Sequence, residues 1–171
     1  MSQWVSVAGV LKINPYIDGA YELRKAIEKI LGQAWDSGMP KSRLPAPEND
    51  KLPKGIEGSL KYNIEDSWYW EYDDNGLAIE RHLTHMVIVF YGDLRDNDGS
   101  GLKEWFQGVV DKIGKLPVEI RNGVLNYDDY SGFTTALVVM KEQEKDTDML
   151  IKWKYRLEEI KIKGENDELG L

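Results

Sequence analysis

The chain has 171 residues, of which 42% are hydrophobic and 30% are charged, and its formal net charge at pH 7 is −8. This composition is typical of one globular domain and excludes a largely disordered chain. The chain has no cysteine, which excludes disulfides, thiolate nucleophiles and zinc–thiolate sites. The negative charge argues against nucleic-acid binding, because phosphate backbones repel it.

The N-terminal sequence has no basic segment followed by a sustained apolar one, so we predict no signal peptide. No apolar run approaches the roughly 20 residues that are needed to cross a bilayer. We therefore expect a cytoplasmic protein without a membrane partner. We predict one α+β domain over residues 1–164 and a disordered tail over residues 165–171.

The first predicted element is a central strand over Trp4–Ile13, which is rich in β-branched residues. A helix follows, with Asp18 as its cap and Gly32 at its end. Its apolar positions recur at three- and four-residue spacing: Ala20, Leu23, Ile27, Ile30 and Leu31. Residues 33–56 lose this periodicity and contain four prolines, so we predict a long surface loop there.

The second half of the chain is predicted to consist mainly of strands, with a tight turn at Asp74-Asn75-Gly76. A second helix, with Ser100 available as its cap, has an apolar face from Leu102 to Ile113. The predicted strands cover Glu57–Ile64, Ser67–Tyr72, Met86–Tyr91, Val118–Tyr127 and Phe133–Lys141. The Met86–Tyr91 strand is apolar on both faces, which is typical of the middle of a sheet.

Residues 149–163 fit two patterns. Ile151, Trp153, Tyr155 and Leu157 alternate as in a strand, although the segment also fits a helix, and we favour the strand. The resulting order predicts an α+β fold with a ferredoxin-like β-α-β-β-α-β sheet and one or two extra strands. Both helices would cover one face of this sheet and leave the other face open to a partner.

His82 and Thr84 form a His-x-Thr sequence that resembles half of the signature of two-histidine phosphoesterases. On a strand the two side chains would share a face and both reach one phosphate. The second half of the signature is missing, and His85, at odd spacing, would point to the opposite face. We therefore favour two ordinary strand-end histidines and predict a protein that is not an enzyme, with phosphodiesterase activity as an alternative.

The turn that contains Asp93, Asp96 and Asp98 offers carboxylates of the kind that bind calcium. Aligning Gly99 with the glycine of an EF-hand loop puts Leu94 and Trp105 at ligand positions, so the loop does not fit that motif. We predict solvated carboxylates, with no metal and no cofactor.

The strongest candidate for a binding surface is the Ser67–Tyr72 strand. Trp68, Trp70 and Tyr72 would line one face, with Asp73 and Asp74 beside them. Rigid aromatic residues surrounded by charge are typical of interface hot spots. We predict that these five residues bind a partner and that Asp93, Asp96 and Asp98 form a second acidic patch. The alternative is that the aromatic residues belong to the protein's own core.

Between Val87 and Met149 the chain resembles small immunity proteins of bacterial polymorphic-toxin systems and short phage proteins of the same shape. The matching segments are Gly92–Asp96, Glu104–Phe106, Gly123–Asp129 and the charged run Lys141–Lys145. The resemblance covers about a third of the chain. It implies a non-catalytic protein that inhibits a basic protein effector by covering its surface.

Two further possibilities remain open. The protein is alternatively a small-ligand binder, for a nucleotide signal, that uses a local basic pocket near Arg81, Arg95 or Arg121. Edge strands of an open sheet also allow a homodimer.

Overall fold

The computed structural model describes residues 4–16, 19–32, 51–55, 57–95, 99–128, 132–144 and 152–163. Six strands form one sheet in the order β2-β3-β1-β4-β5-β6, and every neighbouring pair is antiparallel. The elements in chain order are β1 Trp4–Pro15, α1 Ala20–Leu31, β2 Lys61–Tyr72, β3 Ala78–Arg95, α2 Leu102–Ile113, β4 Val118–Asp128, β5 Phe133–Glu144 and β6 Lys152–Lys163.

Strand β1 lies in the interior of the sheet, as predicted, and pairs with β3 on one side and β4 on the other. Its residues alternate strictly between the two faces. Val5, Val7, Leu11 and Ile13 are buried against the helices, whereas Val10 is 38% exposed on the opposite face. We call this second face of the sheet the open face.

Both helices bury their apolar faces in the same core, as their periodicity predicted. Leu23, Ile27 and Leu31 of α1 are buried, and Phe106 of α2 packs edge-on against Phe90 of β3 at 6.0 Å between ring centres. In the part of the chain that the structure describes, neither helix is long and apolar enough to cross a membrane.

Polar contacts also hold α1 to β2. Arg24 forms an ion pair with Asp66 at 3.0 Å and donates a hydrogen bond to the carbonyl of Ile64. The Tyr62 hydroxyl donates to the carbonyl of Gly32, the residue that ends α1 as predicted. Polar contacts therefore fix the helix against the same strand that continues into the aromatic segment.

The two predicted strands on either side of Glu65 and Asp66 are one continuous strand, β2. Its partner β3 is longer still, and the Asp74-Asn75-Gly76 turn joins the two as predicted. Pairing shifts by one residue at Thr84, because Ser67 pairs with His85 and Trp68 pairs with Leu83. This β-bulge leaves Thr84 without a partner on β2, and regular pairing resumes on both sides of it.

The C-terminal segment is a strand, as the alternation favoured. Tyr155 of β6 is buried, and its hydroxyl accepts a hydrogen bond of 3.0 Å from the backbone N–H of Ile120 on β4. Lys103 of α2 pairs with Glu159 at 3.0 Å. Because these contacts reach β4 and α2, β6 is an integral part of the domain.

The N-cap of α2 is Gly101, with φ of 82°, and no side chain caps the helix, so the prediction for Ser100 is wrong. Asp18, most of the predicted 33–56 loop and the 165–171 tail lie outside the described residues. The α+β class is confirmed. The ferredoxin-like arrangement is not matched, because the fold is mostly sheet, with six antiparallel strands and two helices.

Candidate functional site

The far end of the β2–β3 hairpin extends beyond the helical layer. Its residues are exposed on both faces of the hairpin, from Tyr69 to Tyr72 on β2 and from Ala78 to Arg81 on β3. Trp68 and Leu83 are the last residues that pack against the core. We call residues 68–82 the distal hairpin.

The turn of the distal hairpin is built around Asp73. Its Oδ1 accepts hydrogen bonds from the backbone N–H of Asn75 at 2.9 Å and of Leu77 at 2.8 Å. Gly76 adopts a φ of 78°, which glycine reaches without strain. Asp73 therefore acts mainly within the turn, whereas the neighbouring Asp74 is exposed.

On one face of the distal hairpin, Arg81 lies over two tryptophans. Its Cζ is 3.9 Å from the ring centre of Trp68 and 5.6 Å from that of Trp70. The register places Arg81 opposite Trp70, so neighbouring strands hold the cation against both rings. Trp68 and Trp70 were predicted to share a face, and the contact of Arg81 with both rings is consistent with that prediction.

The other face has His82 at its centre. Its imidazole stacks on Tyr69, with ring centres 6.5 Å apart. His82 Nε2 lies 3.4 Å from an oxygen of Glu71 and 3.7 Å from one of Glu80. These three side chains place their possible metal-ligating atoms within 4.8 Å of one another. The distances allow the imidazole of His82 to contact two exposed carboxylates.

The side chains of His82 and Thr84, which were predicted to reach one phosphate together, contact different groups. Thr84 is the extra residue of the β-bulge, and its hydroxyl donates to the carbonyl of Ser67 at 2.9 Å. The same oxygen lies 3.2 Å from Nδ1 of His85, while His82 contacts the two glutamates. The bulge thus brings Thr84 to His85, which strict alternation placed on the opposite face.

The distal hairpin exposes a set of large apolar side chains. Each is between 45% and 66% exposed. They are Tyr69, Trp70, Tyr72, Leu77 and Ile79. Trp70 and Tyr72 belong to the predicted binding strand, whereas Leu77 and Ile79, which follow the Asn-Gly turn, were not predicted to contribute.

The predicted acidic residues fall in different places. Asp73 and Asp74 lie at the hairpin turn, whereas Asp93 is at the opposite end of β3, where it accepts a hydrogen bond of 2.6 Å from the Ser6 hydroxyl. Asp96 and Asp98 lie outside the described residues. The structure therefore brings Trp68, Trp70, Tyr72, Asp73 and Asp74 into one hairpin and separates Asp93 from them.

Comparison of the chain with protein-family models finds no match. The comparisons with curated proteins and with solved structures likewise find none.

Proposed function

We propose that the protein is a non-catalytic binding protein that inhibits a basic protein effector by covering part of its surface. The distal hairpin is the contact surface. The single observation that supports this proposal is a projecting hairpin on which five large apolar side chains stand exposed among carboxylates. The resemblance to immunity proteins supports the same mode of action, and the lack of cysteine fits a cytoplasmic location.

The apolar part of this surface favours a protein partner. Soluble monomers rarely expose many large apolar residues side by side, and such groups mark interaction sites. Tyrosine and tryptophan bury a large area with few rotatable bonds, so they lose little entropy on binding. Here Arg81 holds the tryptophan rings and Asp73 holds the turn, which further reduces the cost of ordering the surface.

The charge of the surface favours a basic partner. The distal hairpin carries four carboxylates against one arginine, and the whole chain has a net charge of −8. An acidic surface accelerates encounter with a basic protein and disfavours acidic competitors. Asp93 remains a candidate for a second acidic contact, at a distance from the hairpin.

The test uses variants of the tagged full-length protein to recover a partner from host lysate and then to measure affinity for it. Tyr72→Ala is matched by Tyr21→Ala, because the two side chains are 59% and 63% exposed on different parts of the molecule. We expect Tyr72→Ala and Trp70→Ala each to weaken binding roughly tenfold or more, since interface aromatics are common hot spots. Tyr21→Ala should leave affinity unchanged.

The charge is tested by Asp74→Lys, because reversal at Asp73 would also break the turn. We expect slower association and a weaker dependence of affinity on salt. Glu144→Lys is the matched reversal of an exposed carboxylate outside the hairpin. The partner's own activity is the second readout, and it should return when Tyr72→Ala replaces the wild-type protein. Equal affinity of all hairpin and control variants would show that the distal hairpin is not the contact surface.

A further inference from the structure

A depression in the open face lies where β3, β1 and β4 meet. Its volume is about 500 Å³, within the range of small-ligand sites. Two irregularities flank it: the bulge at Thr84 in β3 and a register shift in β4 that leaves Arg121 without a partner on β1. The lining residues are Lys12, Asn14, Thr84, His85, Arg121 and Asn122.

The lining of this depression is basic, whereas the protein as a whole is acidic. All six side chains are polar, three belong to basic residues, and none is acidic. The chain as a whole carries a net charge of −8. A local concentration of cations in an acidic protein points to an anion as the ligand.

The two permanent cations are held differently. Arg121 makes two hydrogen bonds to Glu119, of 3.1 and 3.2 Å, which fix its guanidinium at the edge of the depression. Glu119 is shared with Lys141. Lys12 takes part in none of the ion pairs among the described residues. No carboxylate in the described part of the chain therefore pairs with its ammonium.

His85 supplies a third, switchable donor. Because the Thr84 hydroxyl donates to Ser67, the 3.2 Å contact with His85 requires Nδ1 to carry the proton. Nε2 is then the nitrogen that gains a proton when the ring becomes cationic. Burial and the positive charge of Lys12 lower the pKa of His85, so the ring is largely neutral at pH 7.

We propose that this depression binds the phosphate group of a small phosphate ester. Lys12 and Arg121 supply positive charge, and the amide of Asn122 supplies a neutral donor. Asn14 Oδ1 is buried and has no hydrogen-bond donor among the described residues, so a hydroxyl or amine on the rest of the ligand would satisfy it. The net charge of the chain disfavours a polynucleotide as the source of the phosphate. This site does not depend on the function proposed for the distal hairpin.

The charged groups that face His85 determine the pH dependence. Lys12 on β1 and Arg121 on β4 oppose its protonation, whereas Glu119 on β4 and Glu65 on β2, which lies opposite Val87 on the same face, favour it. A bound anion adds negative charge and must raise the pKa of His85. Binding of the anion must therefore strengthen as the pH falls and His85 becomes protonated.

The test is an NMR titration of the full-length protein with sodium sulfate, which remains a dianion between about pH 5.5 and 8 and so isolates the protonation of the protein. The chain has two histidines, so His82 is an internal control in every spectrum. We expect sulfate to raise the pKa of His85 by roughly one pH unit and to leave the positions of the His82 signals unchanged. Lys12→Met should raise the pKa of His85 without sulfate, because the repulsion is lost, and should weaken sulfate binding roughly tenfold. Lys154→Met, on β6, is the matched control and should behave as the wild type.

A second arm compares AMP with adenosine and with sulfate, using the same His85 resonances. Tighter binding of AMP than of either probe supports a phosphate-ester site that also contacts the organic part. Equal binding of AMP and sulfate means an adventitious ion only, and it overturns the proposal. So does the absence of any change at His85 with either anion. Tighter binding of a single-stranded oligonucleotide than of AMP would replace the small ester by nucleic acid and would also overturn it.

Discussion

The guanidinium carbon of Arg81 lies 3.9 Å from the centre of the Trp68 ring, on the strand beside it. Arg81 is the only lysine or arginine between Asp73 and His82 in the sequence. Its charge is directed onto aromatic rings as well as towards solvent. The contact joins the exposed part of the hairpin to Trp68, which packs against the core.

Replacement of Arg81 by alanine should lower the free energy of unfolding by about 1 kcal/mol, because the cation–π contact and the packing of the arginine stem are both lost. Urea denaturation at pH 7 measures the change. Arg156→Ala, at an arginine that pairs with Glu142 on the surface, is the matched control and should change stability by less than about 0.5 kcal/mol. Equal effects of the two substitutions would contradict a special role of the ring contacts.

Replacement of Asp73 by alanine should destabilise the hairpin turn by about 1 kcal/mol, since the backbone N–H groups of Asn75 and Leu77 lose their acceptor. Asp73→Asn retains a side-chain oxygen in the same position and should retain most of the stability. Asp74→Ala should have almost no effect on stability. Hydrogen exchange of the Leu77 amide reads out the turn itself, and fast exchange confined to Asp73→Ala is the expected pattern.

Gly58 and Gly76 have nearly the same positive φ, 79° and 78°, but different surroundings. A Cβ on Gly58 would lie 2.1 Å from the carbonyl oxygen of Asp93, whereas a Cβ on Gly76 would have no heavy atom within 4 Å. Gly76→Ala should therefore cost only the conformational strain, about 1 kcal/mol. Gly58→Ala should cost roughly 2–4 kcal/mol, because the backbone must also move. Thermal denaturation of the two variants gives the comparison, and similar melting temperatures would be inconsistent with the close approach.

Glu119 accepts hydrogen bonds from Lys141 and Arg121, and this contact lowers the pKa of its carboxyl group. A lowered folded-state pKa means that the stabilisation is present above the unfolded pKa of about 4.3 and is lost as pH falls through the folded value. Glu119→Gln should thus cost about 1.5 kcal/mol at pH 7 and progressively less below about pH 4. Glu142→Gln, at an exposed pair, should change stability little at either pH. A Glu119→Gln deficit that is independent of pH would show that the carboxylate charge is not responsible.

Most of the secondary structure could be predicted, because the patterns are local. The alternation of β1 and the three- and four-residue spacing in α1 each report one buried face, and both elements form as expected. The bulge at Thr84 could not be predicted. It depends on which β2 residue pairs with His85, and no local pattern encodes that pairing.

The two candidate surfaces also differ in whether a local sequence pattern predicts them. The distal hairpin was largely predictable, since the aromatic strand and the Asn-Gly turn are contiguous in sequence. The basic depression was not, because Lys12, His85 and Arg121 come from three strands that are neighbours only in the folded sheet. Of these three residues, only Arg121 is among the arginines, with Arg81 and Arg95, near which the sequence suggests a basic pocket.

The interior position of β1 has a consequence for the order of folding. Among the pairs that β1 forms with β3, Ile13 and Met86 have the shortest separation in sequence, 73 positions (86 − 13). The partners of β1 on β4 are separated from it by more. Contacts of such long range slow folding, because loop-closure entropy is lost before they form. During synthesis β1 can therefore pair only after β3, and then β4, has emerged from the ribosome. Strand β1 should therefore be among the last strands to gain protection from hydrogen exchange during refolding.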